Sequence, residues 1–110
     1  MAIKKEKAIT DAARKIRNAW KNGKTIKPIR EALPRGDLDA AYAVQQTNTD
    51  IWIKEGRRVI GRKIGLTAKA VQSQLGVDQP DYGIIYADMA VVDGDEIDFH
   101  AVAQPKAEAE

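Results

Sequence analysis

The stretch "GRKIGLTAKAVQSQLGVDQPDYG", residues 61–83, carries most of the information about how this chain folds. With the preceding "RRVI" (57–60) it contains the β-formers Val59, Ile60, Ile64 and Leu66, interrupted by Gly61 and Gly65. β-branched side chains suit a pleated strand, whereas a glycine inside one marks a bulge or the close approach of another backbone. The segment therefore reads as a strand with a bulge, or one approached closely by another backbone. Thr67 can cap a short helix running through Leu75, with Gly76 as its stop. "VDQPDYG" (77–83) reads as a loop, because Pro80 and Gly83 punctuate it and Asp81 can bond its own backbone.

Working outward, residues 8–22 ("AITDAARKIRNAWKN") place Ile9, Ala12, Ala13, Ile16, Ala19 and Trp20 at spacings of three and four, an amphipathic helix with Gly23 as its stop. "KTIKPIREALPRG" (24–36) is broken by Pro28, Pro34 and Gly36. A second helix starts near Asp37 or Asp39 with the stripe Leu38, Ala41, Tyr42, Gln45, Thr49 and Trp52, and Gly56 closes it. On the other side, "IIYADMAVV" (84–92) and "EIDFH" (96–100) read as strands joined across "DGD" in a hairpin. "AVAQPKAEAE" (101–110) begins as an extended segment. Two helices followed by mixed strands and short helices make an α+β pattern, helical over about 1–56 and β-rich over 57–110, rather than regular β-α-β alternation.

At 110 residues the chain suits one small domain or part of a larger one. A net charge of +2, with basic residues dense only in "IKKEK" and "RKIR", points to a solvated helix face and not to nucleic acid. The absence of cysteine removes disulfides, thiol catalysis and cysteine-ligated metal. No apolar run approaches the length of a membrane span, and the first ten residues lack the apolar core of a signal peptide, so the expectation is a cytoplasmic protein.

Four positions could carry chemistry. Successive strand residues face opposite ways, so one of Arg62 and Lys63 points inward or into a cleft. A partly buried lysine can exchange protons near neutral pH or hold an anionic group, and a lysine snorkelling at a strand edge accounts for the same residue. Asp81 is either a turn former or a proton-transferring carboxylate on a rigid loop. If "KAEAE" is a strand, Glu108 and Glu110 share a face, where a divalent cation would relieve their repulsion; two solvated surface glutamates are the plainer reading. His100, the single histidine, has nothing near it in sequence to complete a triad. "GRKIG" has the spacing of neither phosphate-binding glycine motif.

The order of the blocks is more specific than any one of them. "AAYAVQQTN", "GRRVIGRKIGLTAKAVQSQLGVDQPDYG", "ADM" and "QPKAEAE" closely resemble the 2-keto-4-pentenoate (2-hydroxypenta-2,4-dienoate) hydratases of the fumarylacetoacetase-related superfamily, from about Ala8 to the last residue and most densely over 57–83. The resemblance implies a metal-dependent hydro-lyase of meta-cleavage aromatic degradation that adds water to 2-hydroxypenta-2,4-dienoate. It implies Lys63 and Asp81 as the catalytic pair, and Glu108 and Glu110 as the first two carboxylates for magnesium or manganese. It also implies a homo-oligomer, and chains more than twice this length, with a third metal carboxylate and most of the β-rich catalytic fold beyond these residues. On that reading the 110 residues form an N-terminal portion with little or no activity alone. Two alternatives stand beside it: a 4-oxalocrotonate decarboxylase, whose relatives tend to show "GLKMG" where this chain has "GRKIG", and a non-catalytic assembly module.

Overall fold

The computed structural model describes residues 2–109. Its elements, in chain order, are α1 (Ala2–Asn22), α2 (Leu38–Lys54), β1 (Val59–Gly65), α3 (Lys69–Leu75) and β2 (Asp81–Tyr86), with single 3-10 turns at Ile29–Glu31, Ala87–Met89 and Phe99–Ala101. The fold is α+β, as the sequence pattern indicates. Two compact units divide it: residues up to Ile51 together with those from Val91 onward, and the segment Trp52–Ala90.

In the first unit, Ala12 and Ala13 of α1 are buried against Val44 of α2, and Ile9, Ile16, Ile29 and Leu33 pack around them. Small residues at the centre let two helices approach closely. α1 starts at Ala2, six residues before the stretch whose apolar spacing announces it, because its first turns are a lysine-rich exposed face with no apolar stripe to read. It ends as expected: Gly23 adopts φ +63°, and the Lys24 N–H reaches back to the Ala19 carbonyl at 3.1 Å. α2 is capped by Asp37, whose Oδ1 accepts the Ala40 N–H at 2.9 Å, while Asp37 Oδ2 pairs with Lys5 Nζ at 2.7 Å.

The fully buried line of α2 shares Thr49 with the predicted stripe and otherwise differs from it. Ala40, Val44, Asn48 and Thr49 face inward, whereas Leu38 is half exposed. Asn48 can be buried because Arg17 Nη1 donates to its Oδ1 at 2.8 Å, a satisfaction that apolar periodicity cannot anticipate.

The second unit is built on a two-stranded antiparallel sheet, β1 against β2. Its register runs Val59↔Tyr86, Gly61↔Ile85, Arg62↔Ile84, Lys63↔Gly83, Ile64↔Tyr82 and Gly65↔Asp81. The partner advances by one residue while β1 advances by two between Val59 and Gly61, so Ile60 is the extra residue of the expected bulge. α3 lies in the connection. Its N-cap is Ala68, with no side-chain bond, and not Thr67; the turn before it is held instead by buried Gln72, whose Nε2 donates to the Leu66 carbonyl at 2.7 Å. Gly76 closes the helix at φ +72°.

The hairpin predicted from 84–92 and 96–100 is not formed. Ile84, Ile85 and Tyr86 belong to β2 and spend their ladder bonds on β1, where Tyr86 becomes buried. Two strands with no face to pack against are marginal in water. Val92 and Phe99 are accordingly about 70% exposed, and the chain there has a turn closed by the Asp95 N–H on the Val92 carbonyl at 3.0 Å and a 3-10 turn at Phe99–Ala101. Among the described residues no helix is long and apolar enough to cross a membrane.

Candidate functional site

In an antiparallel ladder, residues directly opposite each other share a face, and faces alternate along each strand. Lys63 stands opposite Gly83, and Asp81 stands opposite Gly65, two residues along β1 from Lys63. Lys63 and Asp81 are therefore diagonal neighbours on one face, a relation that typically separates Cα atoms by about 7–8 Å and is within reach of long side chains. Each has a glycine across from it. The result is an open cleft of about 270 Å³ lined by Lys63, Gly65, Asp81, Tyr82 and Gly83. Arg62 falls on the other face with Ile64, Tyr82 and Ile84, so of the two basic neighbours the lysine is the one that shares a face with Asp81. Asp81 is the first residue of β2 and not a loop residue, which fixes its backbone in the ladder.

Gly65 has a role that its residue type only hinted at. A Cβ built on it would collide with the Asp81 carboxylate. The carboxylate thus lies over the bare backbone of Gly65, in the close approach that a strand glycine permits.

The far end of the ladder carries a clamp. Just before β1, Arg57 donates from Nε to Asp88 Oδ2 and from Nη2 to Asp88 Oδ1, both at 2.6 Å, just after β2. The guanidinium lies 3.9 Å from the centroid of the Tyr86 ring and 4.8 Å from that of Trp52, and the two rings meet edge to face at 5.7 Å. The hydrogen bond from Arg57 holds the Asp88 carboxyl below the usual aspartate value. Because a slip of one residue would turn every side chain to the opposite face, a clamp at one end of the ladder is what keeps Lys63 and Asp81 together at the other. Arg57 and Asp88 were not singled out by the sequence reading; the only signal was their position flanking the two strands.

Glu108 is exposed and outside any strand, and Glu110 lies outside the described residues. The expected shared strand face for the two glutamates is therefore not present over the described residues. Among those residues no group of three or more histidine, cysteine, aspartate or glutamate side chains could hold a metal ion. The described donors alone do not fit a divalent cation, which needs more oxygen ligands than one glutamate supplies. His100 packs its ring edge-on to Phe99 at 5.8 Å, and its backbone N–H is bonded by Asp98.

Known proteins give this arrangement a context. No family model matches the chain. A 2-keto-4-pentenoate hydratase of Dechloromonas aromatica is 54% identical over 99 residues, which are 90% of this chain and 38% of that protein. The TodF product hydratase of Pseudomonas putida is 52% identical over 103 residues, 94% of this chain and 38% of the relative. A 2-oxo-hept-4-ene-1,7-dioate hydratase of Escherichia coli is 37% identical over 98 residues. Among solved structures, the 4-oxalocrotonate decarboxylase from Pseudomonas putida G7, complexed with magnesium and adipate, superposes with a TM-score of 0.66 at 31% identity, covering 74% of this chain and 30% of that one.

The fold thus places the chain in a class of α+β proteins that includes a 4-oxalocrotonate decarboxylase. Over most of its length it is about half identical to proteins named as hydratases, 2-keto-4-pentenoate hydratases among them. It spans about two fifths of the length of the curated relatives it matches.

Proposed function

We propose that the protein carrying these residues hydrates 2-hydroxypenta-2,4-dienoate to 4-hydroxy-2-oxopentanoate. The observation that carries the reading is that Lys63 and Asp81 share one cleft, inside a segment about half identical to named hydratases. The dienol must first become a 2-oxo alkene, which moves a proton from oxygen to carbon. Water then adds in conjugate fashion, and negative charge develops on the 2-oxo oxygen before a second carbon is protonated. Both steps need a group that gives protons and a group that takes them. On this reading the Lys63 ammonium brings positive charge to the cleft for an anionic substrate, and the Asp81 carboxylate accepts a proton; that both line one cleft supports it.

The same reading gives Glu108 and Glu110 to a divalent ion, magnesium or manganese, as two of its oxygen ligands. It carries with it a small-molecule dienoate substrate, homo-oligomeric assembly, a cytoplasmic setting and a place in meta-cleavage aromatic degradation. The higher identity to hydratases, 54% against 31% for the decarboxylase, favours hydration over decarboxylation.

The test follows dienoate consumption by its ultraviolet absorbance in wild-type and Lys63→Met protein. Turnover should fall by about 100-fold or more in the variant, the usual scale of a lost acid–base group. Full turnover in Lys63→Met would remove Lys63 from the proton path. A wild-type protein that released carbon dioxide from 4-oxalocrotonate and left the dienoate untouched would overturn the hydratase reading. Calorimetric titration of manganese into wild-type and Glu108→Ala/Glu110→Ala chains tests the ligand assignment, with saturable binding lost in the double variant as the expected result.

A further inference from the structure

We propose that Gly65 is a positioning residue for Asp81: its missing side chain is the space in which the Asp81 carboxylate lies. The proposal rests on the reading of Lys63 and Asp81 as the proton-transferring pair, and it begins with the question of why this strand residue is glycine at all. The chain has eight glycines. Five of them, Gly23, Gly36, Gly56, Gly76 and Gly94, have positive φ, so backbone conformation accounts for their identity. The other three, Gly61, Gly65 and Gly83, lie in β1 and β2 with backbones that any residue could adopt. Around Gly61 and Gly83 a Cβ would meet nothing within 4 Å. At Gly65 alone it would meet another group, and that group is the Asp81 carboxylate.

What the Cβ would meet decides the outcome of a substitution. The obstructing atoms are the tip of a flexible side chain and not backbone, so Gly65→Ala can be relieved by rotation of Asp81 about its side-chain bonds while β1 and β2 stay paired. The expected phenotype is an intact fold with a displaced carboxylate. Because Asp81 and Lys63 lie on the same face of the ladder, displacing one changes the electrostatic surroundings of the other.

The experiment compares Gly65→Ala with Gly61→Ala, the same substitution on the same strand and face but into open space. Both chains should show the same cooperative thermal transition to within a few degrees. In the 110-residue chain labelled with ¹³C-aspartate and ¹³C,¹⁵N-lysine, Gly65→Ala should move the Asp81 Cγ resonance and the Lys63 Cε and Nζ resonances, and Gly61→Ala should leave them in place. In the hydration assay Gly65→Ala should lower kcat by about 100-fold, the scale of a small misplacement of a catalytic group, with KM little changed. An Asp81 resonance unmoved by Gly65→Ala, or moved equally by Gly61→Ala, would overturn the proposal. The two claims fail separately: resonances that shift as expected in a wild-type protein with no hydratase activity would sink the hydration reading alone.

Discussion

Replacing Arg57 by methionine removes a guanidinium while keeping much of the stem, and so isolates the clamp at the closed end of the ladder. Two contributions are lost. The bidentate pair with Asp88 is short, but the Asp88 side chain is 54% exposed, and pairs so open to solvent contribute up to about 1 kcal/mol. The stack on Tyr86 is better shielded, since that ring is 3% exposed, and a desolvated cation–π contact contributes roughly 1–2 kcal/mol. Arg57→Met should therefore destabilise the chain by about 1–3 kcal/mol, or roughly 5–20 °C in Tm for a domain near this size. Asp88→Asn keeps the stack and one acceptor, so it should cost less than about 1 kcal/mol. The assay is urea unfolding followed by tryptophan fluorescence in a Trp20→Phe background, which leaves Trp52, beside the clamp, as the reporter. Equal losses in Arg57→Met and Asp88→Asn would show that the ion pair and not the ring stack holds the ladder closed, and would refute the ranking.

Two further outcomes follow from the helical unit. Asp37 is held below the ordinary aspartate value of 3.8, first by the hydrogen bond from Lys5 and then by the Ala40 N–H. A lowered folded value means that its contribution is in place above 3.8 and is lost as pH falls through the depressed value, so Asp37→Asn should lower stability near neutrality, converge with the wild type in acid and thereby flatten the acid limb of a pH–stability curve. Asn48→Ala leaves the Arg17 donor without its buried acceptor and should cost about 1–3 kcal/mol in chemical denaturation; a cost near zero would mean that water replaces the amide there.

How far the sequence could be read depended on whether a residue's cause was local. Gly23, Gly56 and Gly76 stop their helices through a conformation that only the residue itself has to adopt, and all three have positive φ. Asp37 caps through a neighbour three residues on. The bulge at Ile60 and the opposition of Arg62 and Lys63 follow from alternation and two glycines. What failed involved partners distant along the chain. Ile84–Tyr86 chose β1, across α3, over the nearer 96–100. Asn48 went inside because Arg17, on another helix, satisfies it. The shelf at Gly65 exists only because Asp81 arrives opposite it, and the apolar positions at 91–102 carried strand propensity with nothing to pair against.

The extra residue in β1 sets where this segment can change length. Removing Ile60 would turn Val59↔Tyr86 and Gly61↔Ile85 into consecutive rungs and leave every later rung as it is. Removing Gly61 does the same, with Ile60 taking its rung, and removing Arg62 likewise leaves Lys63↔Gly83 and Gly65↔Asp81 in place, whereas removing Ile64 turns Lys63 to the face opposite Asp81. Loss of one residue is therefore absorbed ahead of Lys63 and disruptive after it, so the bulge acts as slack on the clamp side of the cleft.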